Sequence, residues 1–177
     1  MTTQNLRAVQ APLKAKYRRQ PDAAMITLYA EGELGEGTSC SVATGHALVE
    51  AGLHPATGGD GSLVCSGDML LQALAACAGV TLQAVAASLG LEVAGRVHAE
   101  GDLDFRGTLA VDRDAPVGFQ RIRVRFELVS GAGDAELDTL LRLTERYCVV
   151  YQTLAATPAL SVNRVQPTND GDAPHLR

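Results

Sequence analysis

The feature that most constrains this chain is the run from Met69 to Leu91, which contains no charged residue. A run of this length can span a bilayer or form the central helix of a folded domain. Two observations select the second. The run is rich in alanine and carries Gln72, Thr81, Gln83 and Ser88, which suit a protein core better than hydrocarbon. Strand-like segments also lie on both sides of it. We therefore expect no membrane partner, and a domain built around one long helix. Ser66 reads as its N-cap, Asp68 suits the positive end of its dipole, and Gly90 is a natural stop. At ~1.5 Å per residue, the span from Asp68 to Leu89 is about 33 Å long. Both its sides are largely apolar, so it should be covered on more than one face.

Around this helix the chain reads as one domain of ordinary composition. It has 177 residues, 46% hydrophobic and 20% charged, which excludes wholesale disorder and makes a disulfide or metal staple unnecessary. The formal net charge of −5 argues against a nucleic-acid partner, which would need a broad basic face. Aromatic residues are 4% with no Trp, too few for a stacking platform. Residues 1–21 carry Arg7, Lys14, Lys16, Arg18 and Arg19 and no acid, so all 20 acidic residues lie in the remainder. That division predicts a basic arm over 1–21, a domain over 22–165 and a polar tail over 166–177. The arm has no apolar run like that of a signal peptide, and we expect a cytoplasmic protein.

Alternation predicts strands over Ala24–Glu33, Thr38–Thr44, Leu91–Phe105 and Gly118–Val129, with a weaker one at His46–Glu50. Residues 52–62 are rich in glycine and form a loop. In the fourth strand Arg121, Arg123 and Arg125 alternate with Ile122, Val124 and Phe126, giving one buried and one solvated face. A second helix follows Gly131–Gly133 with Asp134 as N-cap, and runs through Tyr147, Cys148 and Tyr151 to Thr157–Pro158. A last strand is expected at Ala159–Val165. Strands, long helix, strands, helix and strand make an α+β protein.

The chemistry-bearing residues are few. Histidines 46, 54, 98 and 175 are scattered and no two cysteines form a C-x-x-C pair, so no metal site is expected. The Asp102/Asp104 and Asp112/Asp114 pairs lack the loop pattern of calcium sites, and no phosphate-binding or serine-nucleophile motif is present. What remains is Cys77, which shares a helix side with Leu70, Leu74 and Thr81, and Cys148, on the apolar stripe of the second helix. If the two stripes face each other the thiols meet; otherwise both are small buried hydrophobes. A redox sensor using Cys40 or Cys65 rests only on the presence of those residues.

The segments SGDMLLQALAACAGVTL (66–82) and ERYCVVYQTL (145–154), in this order, resemble the OsmC/Ohr family of cysteine-based organic hydroperoxide reductases. The resemblance spans roughly residues 20–165. It implies an OsmC-like fold, with long central helices packed on antiparallel sheets in an intertwined homodimer and sites at the subunit interface. It implies Cys77 as the peroxidatic and Cys148 as the resolving cysteine. The thiolate becomes a sulfenic acid, then a Cys77–Cys148 disulfide. Its substrate would be an organic hydroperoxide, and an alkyl or lipid one suits the apolar stripe around Cys77. No cofactor is implied, only an external dithiol reductant, a lipoyl-type group or a similar one on a partner protein.

The same resemblance sets expectations that this chain does not meet in full. The family's second motif reads Cys-Pro-Val; here Val149 replaces the proline, which leaves the helix free to run on through Cys148. Asp68 is the nearest match to the family's carboxylate, yet nine residues of helix turn it half a revolution away from Cys77. Glu145, three residues before Cys148, should disfavour a thiolate there. The family's thiolate-stabilising arginine has no counterpart in GELGEG (32–37), and Arg18 or Arg19 is the candidate for that role. The alternative reading is a non-catalytic dimer of the same fold that binds a small apolar ligand.

Overall fold

In a computed structural model, residues 32–34, 40–44 and 47–165 and the single positions 15, 19 and 20 are described. The Ala24–Glu33 strand lies outside these residues except at its end, and so do most of the basic arm and the whole of 166–177. Four strands form one small sheet in chain order: β1 (Gly32–Leu34), β2 (Cys40–Thr44), β3 (Ala47–Gly52) and β4 (Val64–Cys65). β1, β2 and β3 pair antiparallel, and β4 joins β3 in parallel. The glycine-rich loop between β3 and β4 holds a helical turn at Pro55–Thr57, started by the His54 ring, whose Nδ1 accepts from the Ala56 amide at 3.0 Å.

Helix α1 follows β4 directly and runs Ser66–Leu89. Its N-cap is Cys65, whose side chain makes no capping bond; Ser66 is already helical, because the end of β4 sets the entry instead. Gly90 does end the helix. It adopts a left-handed conformation with φ of 76°, and its amide donates to the Ala86 carbonyl. α1 is long and apolar enough to cross a membrane by length and composition, but here Leu74, Ala78, Leu82, Val85 and Ala86 form the centre of the domain. The opposite side is not covered among the described residues: Val80 is 73% exposed.

The antiparallel pair β5 (Val93–Asp102) and β6 (Arg121–Ser130) lies across α1. Strict alternation along β6 turns Ile122, Val124 and Phe126 towards the helix and the three arginines outwards. Gly79 lets the ribbon come close: a Cβ there would sit 3.4 Å from Val97 Cγ1. On the outer face Arg123 reaches both Glu100 (2.7 Å) and Asp102 (2.6 Å), and these exposed pairs hold both carboxyls below their usual range. The solvated face is therefore one of paired charge. Beyond β5 the chain does not stay extended to Phe105. Asp104 caps a short helical turn, α2 (Phe105–Thr108), by accepting from the Arg106 amide.

Helix α3 (Asp134–Tyr147) packs on α1 through Leu140, which is 0% exposed. Its N-cap is Gly133, one residue earlier than expected, and the Glu136 carboxylate accepts the Gly133 amide at 3.0 Å. The expected unbroken second helix is two helices. α3 stops at Tyr147, Cys148 is extended (φ −73°, ψ 109°), and α4 runs Val149–Ala155. The last expected strand is also absent: residues 157–165 form no helix or strand and lie exposed, Val162 at 97%. An alternating segment becomes a strand only where an edge is available to receive it.

Candidate active site

The break after α3 is what brings the two thiols together. α4 packs against α1, so Cys148, at the corner, enters the cluster of Leu74 and Ala78 beside Cys77. Val97, Ala99, Ile122, Val124 and Phe126 close the cluster from the ribbon. Cys148 is 1% exposed, whereas Cys77 is only half-buried.

Their environments differ in sign. Burial pushes the Cys77 thiol up, but the Val150 amide, the Cys148 thiol, the Thr81 hydroxyl and the Val149 amide together pull it down further. Cys77 ends below the ordinary thiol value. The two amides exist as free donors because α4 starts at Val149, and the first amides of a helix have no partner within it. Thr81 lies one turn beyond Cys77 on α1. Thr139, Thr144 and Thr153 return their hydroxyls to the carbonyl four residues back, whereas the Thr81 hydroxyl is one of the groups that lower Cys77. Cys148 is raised: burial is the main cause, the Tyr151 amide opposes it, and the adjoining Cys77 thiolate adds to it through both hydrogen bond and charge.

The remaining expected site residues are placed as follows. Asp68 is exposed in the first turn of α1, and the unbroken helix keeps it on the side away from Cys77. Glu145 is not among the groups acting on Cys148; its carboxylate accepts the Tyr151 hydroxyl at 2.9 Å and raises that phenol. The expected high pKa at Cys148 is present, with burial rather than Glu145 as its cause. Arg18 lies outside the described residues, and Arg19 is exposed. Among the described residues no cation acts on Cys77. The donors that do so, Thr81 and the Val149 and Val150 amides, were missed. The Cys77–Thr81 spacing was a readable signal, but the amides were invisible without the helix break.

A cavity of about 650 Å³ adjoins the cluster and is lined by Leu74, Ala78, Ile122, Val124, Phe126 and Cys148, among others. Cys77 does not line it. Among the described residues no group of three or more His, Cys, Asp or Glu side chains is placed to hold a metal ion.

Comparison with known proteins places these features in a family. The family model for OsmC-like protein matches residues 59–163, which include both cysteines. No curated protein matches the sequence at a significant level. The fold is similar to that of an OsmC-like protein from Mycoplasma pneumoniae, with a TM-score of 0.63 and 18% identity, covering 75% of this chain and 91% of that one. It is also similar to an organic hydroperoxide resistance protein OsmC from Legionella pneumophila (TM-score 0.55, 18% identity, 74% and 90% covered). The organic hydroperoxide resistance protein OhrB of Bacillus subtilis is a third (TM-score 0.52, 16% identity, 76% and 94% covered).

Proposed function

Because the chain belongs to the OsmC-like proteins, we propose that it is a cytoplasmic thiol peroxidase for organic hydroperoxides, with Cys77 peroxidatic and Cys148 resolving. The observation that carries this reading is the meeting of the two thiols in one apolar cluster, Cys77 half-buried and Cys148 buried, with Cys77 shifted down and Cys148 up. The nucleophile in such a reaction is a thiolate, and the half-buried Cys77 is the sulfur whose surroundings favour that form. It attacks the terminal peroxide oxygen, the O–O bond breaks, and the alkoxide takes a proton and leaves as the alcohol. Cys77 is then a sulfenic acid. Cys148 attacks its sulfur, the S–O bond breaks, and the hydroxyl leaves with the Cys148 proton as water.

An external dithiol of lipoyl or similar type, carried by a partner protein, reopens the disulfide. Its thiolate attacks Cys148 and expels Cys77, the better leaving group because its pKa is the lower. The dithiol's second sulfur then closes on the first and releases Cys148. A homodimer fits the exposed Val80 on α1 and the exposed Leu160, Val162 and Val165, since exposed apolar surface marks an interaction face.

One observation favours a second reading, a non-catalytic dimer that binds a small apolar ligand: the cavity opens on Cys148 and not on Cys77. The two readings part in one experiment, mass spectrometry of reduced protein after one equivalent of cumene hydroperoxide. Rapid loss of two hydrogens, mapped to a Cys77–Cys148 link, is the expected result. Both thiols remaining free, with peroxide consumed only at the rate of ordinary cysteine, would leave the ligand-binding reading.

A further inference from the structure

The break at Cys148 occurs without the residue that usually makes one, since Val149 stands where a proline would interrupt the helix. Something else must hold the chain in this bend, because Val149 has no backbone reason to leave α3. Two side-chain bonds cross the corner. The Tyr151 hydroxyl donates to Glu145 Oε1 at 2.9 Å, and Gln152 Nε2 donates to the Glu145 carbonyl at 2.9 Å. The second bond is the more telling. In a continuous helix the Glu145 carbonyl would accept from the Val149 amide. Here Gln152 occupies that acceptor, and the Val149 amide is left at the start of α4, which packs against the helix that carries Cys77.

We propose that Glu145, Tyr151 and Gln152 form a staple that substitutes for a proline and positions the Val149 and Val150 amides on the Cys77 sulfur. They are positioning residues, acting on the thiolate only through those two amides. The proposal deepens the peroxidase reading, which supplies the need for a thiolate, but its test requires no peroxide.

The test uses the full-length reduced chain and follows iodoacetamide alkylation of Cys77 against pH by peptide mass spectrometry. The single variants Tyr151→Phe and Gln152→Ala should each move the midpoint to higher pH, and the double variant furthest. In the double variant the neutral-pH alkylation rate should fall about three- to tenfold as the thiolate fraction drops. The decisive arm adds Val149→Pro to the double variant. Proline is accepted at the first position of a helix, and Cys148 already has the extended conformation that a following proline demands. It forces the break and forfeits only the Val149 amide, the weakest of the four donors. Most of the lost alkylation rate should return.

An unmoved midpoint in the double variant, with native circular dichroism, would overturn the staple. So would a shifted midpoint that Val149→Pro fails to restore, since that would mean general loosening. A wild-type chain that shows the lowered midpoint yet ignores peroxide would sink the peroxidase reading and leave the staple standing.

Discussion

Cys77 and Cys148 belong to the same apolar cluster, yet one sits within a continuous helix and the other at a break between two. The mid-helix sulfur has no free amide on its own helix, and borrows two from the break. The sulfur at the break is the more buried and gains less. Burial raises both thiols, so burial alone does not set them apart; the donors that converge on each sulfur do. A helix interruption thus serves a residue that is remote from it in sequence.

The largest expected effect tests that asymmetry directly. Cys77→Ser should abolish peroxide-driven disulfide formation entirely. Cys148→Ser should instead leave Cys77 reactive for one turnover and then over-oxidised to sulfinic acid, a mass gain readable on the Cys77 peptide. Equal loss in both variants at the first step would erase the division of roles.

The next effect separates the thiol cluster from the rest of the core. Leu140→Ala, in the second buried cluster with Leu82, Val85 and Ala86, should cost about 2–5 kcal/mol in urea unfolding. The alkylation midpoint of Cys77 should stay where it is. A moved midpoint would mean that the two clusters are not independent.

Thr81→Val is smaller and sharper. It keeps the shape and removes one of four donors, so neutral-pH alkylation of Cys77 should slow about two- to fivefold with little change in stability.

The pH dependence of stability should show both thiols with opposite signs. A thiol lowered in the folded state binds fewer protons than in the unfolded chain, so Cys77 stabilises at high pH and loses that contribution as pH falls through its folded value, below 9.0. Cys148 is raised, so its contribution is complete below 9.0 and is lost as pH rises through its folded value above it. Urea midpoints against pH should therefore rise and then fall, Cys77→Ser removing the rise and Cys148→Ser the fall. The smallest effect is expected on the outer ribbon, where Arg123→Ala should leave the melting temperature nearly unchanged, because exposed ion pairs contribute little.

Much of the fold could be read along the chain. The uncharged run became α1, Gly90 stopped it, and alternation in Arg121–Ser130 assigned the inner and outer faces of β6. The misreadings share one cause. Asp134 and Ser66 suit a cap by residue type, but the chain entering each helix puts the cap one residue earlier, at Gly133 and Cys65. The stripe from Leu137 to Tyr151 has helical spacing throughout, so nothing local announces the bend at Cys148. Three residues before Cys148, Glu145 would lie near it on an unbroken helix; with the bend it accepts from the Tyr151 hydroxyl instead. The segment at 159–165 alternates like a strand but pairs with no strand among the described residues.

By itself the sequence determined the long apolar helix and the half-buried β6, because each rests on periodicity or a single backbone preference; the meeting of Cys77 and Cys148 was open from the residues alone and was implied only by the family resemblance. Tertiary structure alone decided where the second helix breaks and hence which amides are free to hold a thiolate at Cys77. That choice depends on side-chain bonds from Tyr151 and Gln152 that compete with a helical hydrogen bond of similar strength, and such a competition is settled only when α4 docks on α1.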